Sequence, residues 1–182
     1  MNDGHAMTQE AAQSETLSPI LPADIETAAA DLLKAACAAD LRLATAESCT
    51  GGLLASLLTD IEGASHAFER GFAVYSDEAK CELLGIRRLQ IDTCGAVSSE
   101  VAVAMAEGAI AHSHADIALA VTGYAGAAPD GGEAGLVHFA SARRGGRSVH
   151  RVEHFGDIGR GPVRLACLRV ALHMMRQALD QD

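Results

Sequence analysis

The sequence predicts a one-domain α/β sandwich in which helices cover a mixed sheet. Three observations support this fold class. The 182-residue chain is 49% hydrophobic but only 3% aromatic and has no tryptophan, so Ala, Val, Leu and Ile must build the core. Segments with helical periodicity alternate with short apolar strands along the chain. Residues 116–121 form an almost continuous apolar run, which is typical of a strand covered on both faces.

The folded domain is expected to span residues 21–182. Residues 1–20 are polar and acidic, so we expect a flexible tail without the basic and apolar segments of a signal peptide. A first helix is predicted over residues 22–39, because Pro22 suits a first helical turn. Its apolar residues recur at helical spacing: Ile25, Ala29, Leu32, Leu33 and Ala36.

The remaining elements follow in order. Ser76 and Ser98 are placed to cap two of the helices, and Gly85 is placed to end the first of them. The glycine-containing turn at residues 143–146 predicts a hairpin. The predicted strands are 41–47, 67–75, 116–121, 135–142 and 148–155, and the predicted helices are 53–60, 76–85, 98–108 and 161–179.

Charge and composition exclude several classes of protein. The net charge of −10 is unsuited to nucleic-acid binding, which depends on neutralising phosphates. Apolar runs are too short to span a membrane. Five scattered cysteines without a CxxC motif indicate reduced thiols in a cytoplasmic protein. The eight histidines lack metal-binding spacing, and no GxxxxGK[ST] motif occurs, so we expect no metal or other cofactor and no P-loop.

The segment AESCTGG, residues 46–52, joins a strand to a helix and is the most informative part of the sequence. The Ser48 hydroxyl lies near free backbone N–H groups, which can stabilise an oxyanion or bind a phosphate. Alternatively, Ser48 or Thr50 simply caps the helix. Cys49 is a second candidate nucleophile, because a helix N-terminus lowers a thiol pKa. Cysteine is also commonly just a small buried residue.

Three further segments carry candidate functional residues. Lys80 can act as a base if it is buried beside Tyr75, or it can be an ordinary surface charge. Residues 122–126 follow an apolar strand, where α/β proteins bind ligands, but a plain turn fits as well. Arg160 and Arg164 share one helical face and can bind a phosphate or form salt bridges.

Several motifs occur in a fixed order and together resemble a known family. They are TAESCTGG at 45–52, FERGFAVYS at 68–76, EAK at 78–80, LG at 84–85, GAVS at 95–98 and AVTGYAG at 120–126. This set resembles the CinA C-terminal domain family, also called the competence/damage-inducible protein C-terminal domain. The similarity covers about residues 22–179.

The resemblance implies a three-layer α/β/α sandwich, no metal and a homodimer. It also implies hydrolysis of nicotinamide mononucleotide (NMN) to nicotinic acid mononucleotide and ammonia, which recycles pyridine nucleotides. By analogy with the family, Ser48 is the nucleophile, and Tyr75 and Lys80 assist it. A member without this activity, binding a nucleotide or a protein partner, is the alternative.

The resemblance and the local pattern together predict the substrate contacts. The amides from Cys49 to Gly51 would hold the oxyanion, and arginines would bind the 5′-phosphate. Asp77 stands where the family usually has Asn, and its carboxylate is expected to raise the pKa of Lys80. The expected substrate-binding residues are Glu47, Cys49, Thr50, Gly51, Gly52, Arg70, Thr122, Gly123, Gly126, Arg160 and Arg164.

Overall fold

The computed structural model describes residues 21–64, 66–128 and 131–181. The predicted tail at residues 1–20 lies outside these described residues. A five-stranded mixed sheet has the strand order β2-β1-β3-β4-β5, and helices cover both faces. The α/β fold class is therefore confirmed. The strands are β1 (Leu43–Glu47), β2 (Phe68–Ala73), β3 (Ile117–Gly123), β4 (Leu136–Arg143) and β5 (Val149–His154).

Six helices flank this sheet within the described part of the chain. They are α1 (Ala23–Ala38), α2 (Leu53–Asp60), α3 (Asp77–Leu84), α4 (Arg88–Cys94), α5 (Ser99–Ala111) and α6 (Arg160–Leu179). Helix α4, which has seven residues and no side-chain cap, is not among the helices predicted from the sequence. The predicted caps are confirmed, since Ser76 accepts from the Ala79 amide and Ser98 from the Val101 amide. None of the described helices is long and apolar enough to cross a membrane.

The three strands at one side of the sheet run in the same direction. β1 pairs in parallel with both β2 and β3, whereas β4 and β5 continue the sheet in antiparallel order. The carboxyl ends of β1, β2 and β3 therefore meet at one edge. Ligands of open α/β sheets bind outside such an edge.

The two faces of the sheet carry side chains of different size. On β3, Ile117, Leu119 and Val121 face a cluster that includes residues of α1, α2 and α6. Ala118 and Ala120 face the other cluster, built with α3, α4 and α5. Small side chains let α5 pack close to the sheet, while the larger ones fill the space below α1 and α6.

Candidate active site

A cavity of about 520 Å³ opens at the edge where β1, β2 and β3 end. This volume lies within the range of about 300–1,000 Å³ that is usual for small-molecule sites. The loops after all three strands contribute to its wall, together with the α4–α5 loop and the first residue of α6. The lining residues are Ser48, Cys49, Tyr75, Asp77, Lys80, Ala96, Val97, Thr122, Gly123, Tyr124, Ala125, Gly126, Ala127 and Arg160.

The β1–α2 turn, residues 48–52, places Ser48 and Cys49 on this wall. Gly51 and Gly52 have φ angles of 63° and 90°, a left-handed conformation that favours glycine. Gly52 is the N-cap residue of α2 and has no side chain that could cap the helix. Instead, the buried Glu47 carboxylate accepts hydrogen bonds from the amides of Leu54 (3.0 Å) and Ala55 (2.8 Å). Glu47 thus caps α2 from the preceding strand.

The hydrogen bonds of this turn leave two amides for other partners. The Ser48 amide donates to the Val121 carbonyl, and the Gly51 amide donates to the Ser48 carbonyl. Among the described residues, no other residue accepts a hydrogen bond from the amides of Cys49 or Thr50. Two adjacent free amides beside a hydroxyl can stabilise a developing oxyanion. The Gly51 N–H group is already used within the turn, so we do not retain it as an oxyanion donor.

Lys80 is a buried cation on the same wall. It lies on α3, and only 1% of its surface is exposed. Its ammonium nitrogen lies 3.5 Å from the Tyr75 carbonyl oxygen and 3.8 Å from an Asp77 carboxylate oxygen. Burial lowers the pKa of Lys80 below its ordinary value of 10.5, while Asp77 opposes this shift as expected. The surface-charge alternative for Lys80 is therefore excluded.

Tyr75 and Thr122 contact their neighbours in ways that the sequence did not show. Tyr75 is 68% exposed at the rim of the cavity, and it is its backbone carbonyl that faces Lys80. The buried Thr122 hydroxyl donates to the Ala96 carbonyl at 2.8 Å. This bond holds the α4–α5 loop against the end of β3, so Thr122 shapes the cavity as well as lining it.

Arg160 and Arg164 have different positions although they share a helix. Arg160 is the first residue of α6, where the helix dipole is positive, and it lines the cavity. Arg164 instead donates to the Thr50 carbonyl at 2.5 Å, and so joins α6 to the β1–α2 turn. The Arg164 Nε atom is buried and has no hydrogen-bond partner among the described residues.

Several predicted substrate-binding residues do not line the cavity. Arg70 lies on β2 and bonds to Glu69 and to the His112 carbonyl, so we do not retain it as a phosphate ligand. Glu47 is also corrected, because its carboxylate faces α2. The residues outside the lining are Glu47, Thr50, Gly51, Gly52, Arg70 and Arg164, whereas Ser48, Cys49, Tyr75, Lys80, Thr122, Gly123, Gly126 and Arg160 belong to it.

Parts of the wall come from residues that the sequence did not identify as site residues. Ala96 and Val97 come from the loop between α4 and α5, and the motif GAVS at 95–98 was the signal that pointed to it. Tyr124, Ala125 and Ala127 follow β3 within the predicted loop.

A larger groove of about 750 Å³ lies between α1 and α6. It is lined mainly by apolar and charged helix residues, and the Arg169–Asp24 ion pair joins its two helices. Neither Ser48 nor Lys80 contributes to it. The cavity at the sheet edge is therefore the better candidate for chemistry.

Comparison with known proteins places this geometry in a family. The model of the CinA C-terminal domain matches residues 25–179. The chain belongs to the CinA C-terminal domain family. A competence/damage-inducible protein from Agrobacterium tumefaciens has a similar solved structure, with 44% identity and a TM-score of 0.83 over 89% of this chain and 99% of that one.

Relatives in this family carry two kinds of name. The nicotinamide-nucleotide amidohydrolase PncC of Escherichia coli is 45% identical over 76% of this chain and 84% of its own length. A CinA-like protein of Chlorobium phaeobacteroides is 48% identical over 75% of this chain. The chain spans about a third of the length of that protein, since the match covers 34% of it.

Proposed function

We propose that this chain is a metal-independent amidohydrolase that converts NMN and water to nicotinic acid mononucleotide and ammonia. The observation that carries the proposal is the buried Lys80 in the same cavity wall as Ser48. A lysine that loses its proton readily is a suitable base for activating a serine. The likeness to PncC supports the choice of substrate.

The proposed reaction proceeds through an acyl-enzyme. Neutral Lys80 removes the Ser48 proton as the serine oxygen attacks the carboxamide carbon. The free amide of Cys49, which lines the cavity, holds the oxyanion that forms. When the C–N bond breaks, Lys80 returns its proton to the leaving ammonia. Water then attacks the ester, again with Lys80 as base, and releases the carboxylate product and the Ser48 hydroxyl.

Arg160 and the N-terminus of α6 supply the positive charge that this acidic chain needs to hold the substrate phosphate. Thr122, Gly123 and Gly126 also line the cavity and would contact the bound nucleotide. Tyr75 at the rim would contact the bound nucleotide. The homodimer and the lack of nucleic-acid binding stay predictions, which sedimentation and a salt-dependent binding assay test.

The test measures ammonia and nicotinic acid mononucleotide formed from NMN in excess EDTA. We expect turnover by the wild type and a loss of about a thousandfold or more in kcat for Ser48→Ala and Lys80→Met. Ser56→Ala and Lys34→Met are matched controls, because both residues are exposed and lie outside this cavity. They should retain wild-type turnover.

Three outcomes would contradict parts of this proposal. Turnover that persists in Ser48→Ala would remove Ser48 as nucleophile. Turnover abolished by EDTA and restored by metal would contradict the metal-independent reaction. Thermal stabilisation of a well-folded wild type by NMN without any turnover would favour the nucleotide-binding alternative.

A further inference from the structure

Both tyrosines of the chain line the candidate active site. The sequence contains two tyrosines, four phenylalanines and no tryptophan. Tyr75 and Tyr124 belong to the cavity wall, whereas none of the phenylalanines, all of which lie within the described residues, contributes to it. The cavity therefore has an aromatic surface made of tyrosine alone, in a chain that is otherwise poor in aromatic residues.

The backbone of Tyr124 is fixed by its neighbours. Its N–H group donates to the Leu136 carbonyl at 2.9 Å, and its carbonyl accepts from the Gly135 amide at 3.0 Å. Before it, Gly123 packs directly against β4, where an added Cβ would lie 2.6 Å from the Leu136 carbonyl oxygen. After it, Ala125 is buried in the hydrophobic cluster on the α1, α2 and α6 face. These contacts hold the Tyr124 side chain at the cavity wall.

The two tyrosines differ in their surroundings. Tyr75 is largely exposed at the rim, and its backbone carbonyl faces Lys80. Tyr124 is partly buried, and no described residue forms a hydrogen bond with its hydroxyl group. A tyrosine that packs into the protein usually finds a partner for its hydroxyl group. The Tyr124 ring is thus an aromatic surface on a fixed backbone, with a polar group that is free for a ligand.

The charges of the wall show what this surface is suited to bind. Arg160 is the cation assigned to the substrate phosphate, and the Asp77 carboxylate lies 3.8 Å from the Lys80 ammonium nitrogen. The nicotinamide ring of NMN is a pyridinium, an aromatic ring that carries a positive charge. The π-face of a tyrosine attracts such a cation without a carboxylate as counter-ion. Among the lining residues, the tyrosine rings are therefore the groups best suited to the pyridinium.

We infer that the pyridinium ring of the substrate stacks on Tyr124, and that this contact selects N-substituted pyridinium carboxamides over uncharged amides. The choice of NMN as ligand rests on the proposed function, whereas stacking requires binding alone. The ring nitrogen takes no part in the hydrolysis, so the ring keeps its charge throughout the reaction. Stacking therefore stabilises the bound substrate and the transition state alike, and its loss should raise KM while kcat changes little.

The first experiment measures NMN deamidation by Tyr124→Leu and Tyr124→Phe. Leucine keeps apolar bulk but has no π-face, so we expect KM for NMN to rise about tenfold while kcat stays within about threefold. Phenylalanine keeps the ring, so Tyr124→Phe should recover most of the affinity. Leu89→Ala is the control and should leave KM unchanged, because Leu89 is exposed on α4 and lies outside the cavity.

Calorimetric binding in the Ser48→Ala chain, where turnover does not interfere, separates the ring from the rest of the ligand. Ribose 5-phosphate has the sugar and phosphate of NMN but no ring, so Tyr124→Leu should leave its affinity unchanged. Reduced NMN keeps the carboxamide and the ribose phosphate, but its ring is uncharged and not aromatic. It should bind about tenfold more weakly than NMN when Tyr124 is present, and Tyr124→Leu should remove most of this difference.

Tyrosine fluorescence reports where the ring binds. Because the chain has no tryptophan, Tyr75 and Tyr124 supply its emission. NMN should quench this emission, whereas ribose 5-phosphate should not. Tyr124→Phe leaves Tyr75 as the emitter, so most of the quenching should disappear although NMN still binds. N-acetyltyrosinamide at the same NMN concentration corrects for light that NMN absorbs. If Tyr124→Leu does not fold, this comparison still decides.

The outcomes separate this inference from the proposed function. An unchanged KM and Kd for NMN in Tyr124→Leu would overturn the stacking, and so would an equal weakening of NMN and ribose 5-phosphate or a wild type that does not bind NMN. Equal affinities for NMN and reduced NMN would contradict selection by charge. A chain that binds NMN through Tyr124 but never hydrolyses it would support the stacking while contradicting the proposed amidohydrolase.

Discussion

The two turns that build the candidate site are stabilised in opposite ways. In the β1–α2 turn, a buried carboxylate from the strand before it, Glu47, caps the helix, and two of the turn's own amides, those of Cys49 and Thr50, stay available. In the β2–α3 turn, residues 74–76, Ser76 caps the helix in the usual way. There the functional group is instead the Lys80 side chain, one turn into the helix. The first turn thus contributes free backbone amides beside the Ser48 hydroxyl, and the second leads into the helix that supplies the Lys80 side chain.

The first turn should be the more fragile of the two, and Glu47→Ala tests this. Two buried amides of α2 would lose their acceptors, so we expect a loss of about 3 kcal/mol in the free energy of unfolding. Urea denaturation measures it. Glu62→Ala, which removes an exposed carboxylate near the end of α2, should change stability by less than about 0.5 kcal/mol. Equal effects of the two substitutions would show that the cap contributes little.

The role of Glu47 also shows where sequence reasoning stops. Two residues of the AESCTGG motif, Ser48 and Cys49, line the candidate cavity, and the order of elements and both serine caps followed from local patterns. Whether a charged residue in that motif faces the ligand or the core depends on the strand's pleat. Thr45 and Glu47 lie on the α2 face of the sheet with Leu43, because every second side chain of a strand points to the same face.

Other misses have a similar physical origin. Arg70, Arg160 and Arg164 are equivalent as charges in a sequence, yet only Arg160 reaches the cavity. Their positions depend on where β2 and α6 end relative to the carboxyl edge of β1, which is a long-range property. The short helix α4 has no periodic apolar face over its seven residues, so the hydrophobic pattern of the sequence did not predict a helix there.

The buried lysine of the second turn should be costly to the fold. Because its pKa is lowered, the folded chain binds this proton less readily than the unfolded chain. Lys80→Met should therefore raise the free energy of unfolding near neutral pH by about 1–2 kcal/mol while abolishing turnover. Stability of the wild type rises with pH between the folded pKa and 10.5, so the advantage of the variant should shrink in alkaline buffer.

Denaturation at neutral and alkaline pH measures both effects, with Lys34→Met as the control. Lys34 is exposed on α1, so its replacement should leave stability within about 0.5 kcal/mol at either pH. A Lys80→Met chain that is less stable than the wild type would mean that the Asp77 and Tyr75 contacts outweigh the burial of the charge.

Loss of the ordinary cap of the second turn should have a smaller effect. Ser76→Ala removes the acceptor of the Ala79 amide, and we expect a loss of about 1 kcal/mol in the free energy of unfolding. The same urea measurement applies. Ser98→Ala, which removes the cap of α5 and its bond to the Val101 amide, is the comparison. A loss at Ser76 as large as that of Glu47→Ala would remove the proposed difference between the turns.

The smallest effect concerns the charge next to Lys80. Asp77→Asn removes the carboxylate that opposes the effect of burial, so the pKa of Lys80 should fall further. The acid limb of the kcat/KM profile for NMN should then move to lower pH, with stability nearly unchanged. Glu78→Gln is the matched control, because Glu78 is 66% exposed and paired with Arg88 at 2.9 Å. It should move the limb less.

The Cys49 and Cys81 thiols are the other ionisable groups with an influence on Lys80, and as thiolates both would raise its pKa. They remain in both variants, so a shift of the limb in Asp77→Asn beyond the shift in Glu78→Gln reports the stronger influence of Asp77. An acid limb that stays in place in Asp77→Asn would mean that this limb reports a group other than Lys80. That result would also remove the reason to regard the second turn as the one that acts through its side chain.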